Sequence, residues 1–174
     1  MRKVFMTSDM RIPYEEESCY LIEDSSRVAK LNGVKIVEFV QVVGSAVRML
    51  EAKSTAPRPL QNEDYYKYLK GIQEKFQNCI SLLNAAKLNR RPDIFDEFPT
   101  SLKDLDYGSA RYCLYLVIKN SKEDWVVNLN DDFRKLLHPF LKCWNIRDQD
   151  FQVLTEKMAQ AKGLVLNEES TELE

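Results

Sequence analysis

The 174-residue chain predicts a mainly α fold, a helical bundle of about five helices behind an irregular or β-containing N-terminal segment. Three patterns carry this expectation. Over residues 34–52 the polar side chains Lys35, Glu38, Gln41, Ser45 and Arg48 recur every three or four positions, while Ile36, Phe39, Val40, Val43, Val47 and Leu50 fill the opposite arc. Over 63–87 an apolar seam runs through Tyr65, Leu69, Ile72, Phe76, Cys79, Ile80 and Leu83. A third stripe, Phe133, Leu136, Leu137, Phe140, Leu141 and Trp144, has the same spacing.

The elements follow in order. Residues 1–26 read as irregular. Pro13 holds Ile12 extended, Glu15-Glu16-Glu17 reads as a solvated loop, and 19–22 suits a short strand. Asn32-Gly33 and the Val/Ile richness that follows are strand signals, so a β-rich N-terminal module is the alternative to a helix over 34–52. Gly44 and Gly71, inside predicted helices, mark expected close helix crossings. Pro57 and Pro59 stop the first helix. Asn62 caps the second, with Glu63 and Asp64 in its first turn.

Residues 88–104 form a broken connection anchored by Ile94, Phe95 and Phe98, with Thr100 or Ser101 capping a short turn through Leu105. Residues 107–119 are apolar on most sides and predict a central, buried helix opened by Gly108. A short extended tie at 125–127 precedes a helix capped by Asn130 and kinked at Pro139. A last helix spans 147–162, with Phe151, Leu154, Met158 and Ala161 inward and Gly163 at its end. The organisation is a segment 1–53, a bundle domain 60–166 and an acidic tail 167–174, or one domain running through 1–166.

Composition removes whole classes of function. Net charge is −2, and five glycines and six prolines exclude collagen-like and linker-like chains. Glycine-rich phosphate cradles and nucleophile elbows are missing. Cys19, Cys79, Cys113 and Cys143 lie far apart without metal-ligand spacing and read as buried free thiols. The absence of an apolar leader in the first ten residues, together with free thiols, predicts a reducing cytoplasmic or nuclear location, and no stretch is apolar enough for a membrane span. His138 is the only histidine, so no histidine pair exists and no role attaches to it.

Function is correspondingly coarse. The expectation is a non-enzymatic interaction or assembly module, a subunit or adaptor without cofactor, metal or catalytic residues. It would bury Tyr66, Tyr68, Val37, Val42 and Met49 against a protein partner or a second copy. The competing class is a nucleic-acid-binding module using Lys87, Arg90, Arg91 and Arg111. A third is an enzyme built on paired carboxylates, whose signature is a response to divalent cations.

Overall fold

A computed structural model describes residues 2–59 and 62–167. It is α/β, not a helical bundle, and the predicted acidic tail lies beyond the described residues save Asn167. The N-terminal segment is a hairpin of β1 (Arg2–Thr7) and β2 (Met10–Glu15). A five-stranded mixed sheet follows, ordered β3 (Cys19–Tyr20), β4 (Phe39–Val43), β5 (Ala46–Lys53), β6 (Arg111–Ile118) and β7 (Phe151–Thr155). The β3–β4 and β4–β5 pairs are antiparallel, whereas β5, β6 and β7 are parallel. A short helix α1 (Ser26–Ala29) lies between β3 and β4. The crossover from β5 to β6 carries α2 (Glu63–Lys87), α3 (Pro92–Phe95) and α4 (Thr100–Asp104). The return to β7 carries α5 (Glu123–Cys143), and α6 (Glu156–Ala161) follows the last strand. Strands from both sides of the proline-rich 54–59 segment share this sheet.

The two faces of the sheet bury different partners. Val40, Val42, Val47, Met49, Leu114, Leu116, Ile118, Phe151 and Val153 pack against α2 and α5. The opposite residues, Phe39, Leu50, Ala52, Val117 and Leu154, pack beneath the β1–β2 hairpin and α6. This double burial explains why 34–52 is not a helix. A strand covered on both faces reads as a nearly continuous apolar run and loses the alternation that identifies strands. The helix-like polar spacing mixes unrelated roles: Lys35 lies in the connection before β4, Ser45 in a turn, and Glu38 is a buried carboxylate. Gly44-Ser45 is a two-residue hairpin loop between Val43 and Ala46, and Gly44 has φ +59°. That sign at the first loop position is what glycine supplies in such hairpins. Gly44 therefore makes no helix crossing, and a Cβ at Gly71 would meet nothing within 4 Å.

Residues 111–118, predicted as a central helix, are an interior strand of the sheet for the same reason. The last predicted helix divides into β7 and α6, with Thr155 Oγ1 accepting the Met158 N–H at 3.2 Å as the cap. Met158 is consequently exposed rather than inward. Helix α5 begins seven residues before Asn130, absorbs Trp125 to Val127, and continues through Pro139. Asn130 does not cap it. Its Oδ1 accepts the Val153 N–H at 3.0 Å and ties α5 to the edge strand. Neither Thr100 nor Ser101 caps α4, whose N-cap is Pro99.

Helix α2 matches its reading. Every seam residue is buried, and Asn62 Oδ1 accepts the Tyr65 N–H at 2.9 Å. Cys19, Cys79 and Cys113 are buried free thiols, while Cys143 is exposed. Among the described residues no helix is long and apolar enough to cross a membrane.

The two glycines give opposite predictions. Gly44→Ala forces a side chain into the left-handed region and should cost about 1 kcal/mol. Gly71→Ala, in an open helical position, should gain up to about 1 kcal/mol. Urea unfolding of both variants checks this; a stabilising Gly44→Ala would return 34–52 to the helical reading.

Candidate functional site

The parallel strands end together, so Lys53, Ile118 and Thr155 define one carboxyl edge of the sheet. Antiparallel β4 brings its beginning, and Glu38 just before it, to the same edge. The register pairs Phe39 with Leu50, which sets Glu38 across from Glu51. Side chains alternate along each strand, so Glu51 shares a face with Met49. Glu51 thus lies on the face covered by α2, while Glu38, in the bend before β4, hydrogen-bonds Thr7 of the hairpin. Like charges directly opposite each other on paired strands are destabilising. A doubly carboxylated pair is therefore an expensive choice at a position that packing alone would fill with an apolar residue.

Glu51 is fully buried and Glu38 is 5% exposed. Two ammonium groups meet Glu51. Lys53 Nζ, two residues along the same strand face, lies 2.5 Å from Glu51 Oε1, and Lys75 Nζ of α2 lies 2.7 Å from the same oxygen. Lys75 also reaches Glu23 Oε1 at 3.4 Å. Both ammonium groups meet Oε1, and the buried Oε2 has neither a hydrogen-bond nor an ion-pair contact. The Tyr68 hydroxyl is likewise buried without a hydrogen-bond partner, and its pKa is raised by burial and by the Glu51 charge. Burial pushes the Lys75 pKa down, but Glu51 and Glu23 outweigh it and hold the ammonium charged. Burial raises the Glu38 carboxyl to about 6; Glu51 and Glu23 push the same way, against a Thr7 hydrogen bond and the Lys53 charge.

The surroundings are open to an anion. Lys75 and Glu23 line a cleft with Ala29, Asn32 and Lys35, so one side chain separates Glu51 from that cleft. Beyond the strand ends, the Lys119 N–H donates to Lys53 O at 2.9 Å, and Lys119 Nζ donates to Asp9 O at the hairpin tip at 2.7 Å. Arg58 and Lys122 both lie over the Trp125 ring, at 5.3 and 5.6 Å. The edge is an acidic centre flanked by cationic loops. In open α/β sheets this carboxyl edge is where ligands bind.

The residues singled out from sequence lie elsewhere. Val37, Val42 and Met49 are core side chains, and the Tyr68 hydroxyl is buried, which leaves Tyr66 as the exposed member, 49% accessible. Lys87, Arg90, Arg91 and Arg111 do not converge on a free basic face. Arg91 grips Asp93 through two bonds of 3.0 and 2.7 Å, Arg111 holds Asp150, and Lys87 donates to Lys103 O beneath the Phe95 and Tyr107 rings. Arg90 is exposed at the end of α2. His138 is exposed beside Arg134, Lys135 and Asp148. Sequence reasoning missed Glu38, Glu51, Lys53 and Lys75. A readable signal was present: a glutamate inside an apolar run, followed two residues on by a lysine that any strand would place on its own face.

Glu38 gives a pH prediction with a definite sign. Its folded pKa, about 6, exceeds its ordinary value of 4.5, so the native state binds more protons than the unfolded chain between these values. The group's contribution to stability therefore declines as pH rises from about 4.5 to about 6. Glu38→Gln should remove that decline and stabilise the protein above pH 6 by about 2 kcal/mol, read from urea unfolding across pH. A variant less stable than the parent at neutral pH would contradict the assignment. Comparison with protein-family models, curated proteins and solved structures finds no match to this chain, so the arrangement at the carboxyl edge is what bears on its function.

Proposed function

We propose that the chain is a divalent-cation-dependent hydrolase of phosphate esters, with magnesium or manganese held by Glu38 and Glu51 and with an extended polyanion such as nucleic acid as substrate. One observation carries the reading: a fully buried carboxylate, with an oxygen that no donor satisfies, stands opposite a second buried carboxylate at the carboxyl edge of a parallel sheet. Glu51, through its unsatisfied oxygen, and Glu38 would hold the cation, whose charge would offset their mutual repulsion. No group of three or more ligating side chains occurs among the described residues. Two carboxylates nevertheless suit magnesium, which keeps several waters and completes its shell with substrate phosphate rather than with a protein cage.

When bound, such a cation polarises a phosphoryl oxygen and acidifies a coordinated water. The chain's own groups do the rest. Glu38 and Glu51 hold opposite sides of the site. Lys53, on the same face as Glu51, places an ammonium where a non-bridging phosphate oxygen arrives. Lys119, Lys122 and Arg58 supply positive charge beyond the centre for neighbouring phosphates. Lys75, which already reaches Glu23 at 3.4 Å, would have a second carboxylate to hold it if a cation took its place on Glu51. An interaction module is the second reading, supported by the exposed Tyr66 ring packed 6.1 Å from Tyr65.

Manganese should raise the melting temperature of the parent chain and leave Glu51→Gln unmoved. Labelled single- and double-stranded DNA and RNA should be cleaved with magnesium or manganese present, and Glu51→Gln and Lys53→Met should each lose roughly 100-fold or more in rate. Parent protein whose melting ignores both cations, or cleavage that survives Glu51→Gln, would contradict the proposal.

A further inference from the structure

At the opposite, amino edge of the sheet, roughly 23 Å along β6 from Ile118, a second cleft of about 320 Å³ opens between the start of β6 and the turn after α5. Ser109, Arg111, Tyr112, Trp144, Arg147 and Asp150 are among its walls. Asp150 is 3% exposed and accepts four bonds: from Arg111 Nε and Nη2 at 3.0 and 2.7 Å, and from Arg147 Nε and Nη2 at 2.7 and 3.2 Å. One guanidinium is enough to compensate one carboxylate. The second leaves a net positive charge in a concave place.

Each guanidinium keeps Nη1 outside the Asp150 contact, and both side chains are about half exposed, at 54% and 53%. Asp150 fixes the two planar groups so that their remaining donors are ordered before any ligand arrives, which lowers the entropic cost of binding. The end of α5 does not oppose an anion strongly, because Phe140, Leu141 and Lys142 O already accept the N–H groups of Trp144, Ile146 and Asn145. Trp144, 37% exposed and held edge-to-face on Tyr112 at 6.1 Å, gives the cleft an aromatic wall.

We infer that this cleft is a second binding site, for a small oxyanion that carries a planar ring, a mononucleotide being the fitting class. The outer nitrogens of Arg111 and Arg147 hold the phosphate, and Trp144 packs on the ring. The site is separate from the carboxyl edge and uses none of its residues, so it stands or falls independently of the proposed hydrolysis.

Trp125 and Trp144 are the only tryptophans, so Trp125→Phe makes fluorescence report on the cleft. Titration of that variant with AMP should quench saturably, with a dissociation constant on the order of 1 mM or below, and inorganic phosphate should reverse the quench. Arg147→Gln leaves Asp150 paired with Arg111, so the fold should persist while AMP affinity falls at least about tenfold. Calorimetry on the otherwise unaltered chain reads the same two affinities without the tryptophan change. Absence of saturable AMP binding by both methods, or equal affinity in Arg147→Gln, overturns the inference.

Discussion

A carboxylate without water around it organises the carboxyl edge of this protein. Removing an ionised carboxylate from solvent costs several kcal/mol unless partners restore what water provided. Glu51 is completely enclosed between β5 and α2, and its surroundings are arranged around that cost. Lys53 turns back along its own strand, and Lys75 points from α2 into the interior rather than outward. Glu23 holds Lys75 from the far side, and the hairpin reaches Glu38 through Thr7. Strand, helix and hairpin thus meet around one charge. One oxygen of Glu51 nevertheless stays unsatisfied, and a second buried carboxylate feels its charge. Packing alone gives no reason for that arrangement.

The two ends of strand β6 carry contrasting chemistry. Its carboxyl end joins the acidic centre, with Lys119 immediately beyond. Its amino end begins at Arg111, locked with Arg147 on Asp150. Helix α2 runs between the two edges, with Lys75 near Glu51 and Asn84 donating to the Tyr112 hydroxyl at 3.2 Å. Both edges are therefore fixed to the same rigid elements, which is where a precise constellation of side chains is best held.

What was legible in the sequence follows from burial. Helix α2 was readable because only one of its faces is covered, so Tyr65, Leu69, Ile72 and Phe76 stand out against a polar background. Strands β5 and β6 are covered on both faces, and Leu50, Ala52, Leu114 and Val117 gave no alternation to detect. The glutamate that matters was hidden for the same reason. Glu38 fell into an apparent helical polar arc because strand and helix periods coincide over a few residues. Glu51 fell on the apolar side of that arc, and its partner Lys75 is brought to it only by the crossover. The cationic residues clustered in sequence, Arg90 and Arg91, both lie beyond α2, where Arg90 is exposed and Arg91, at the start of α3, is held on Asp93.

The account turns on whether Glu38 and Glu51 share a cation. The most direct measurement is an anomalous difference map from crystals of the unaltered chain grown with manganese. The account predicts one strong peak between the two carboxylates, with Lys75 Nζ withdrawn from Glu51 Oε1. A map without density there, with Lys75 still on Glu51 at saturating manganese, would contradict it.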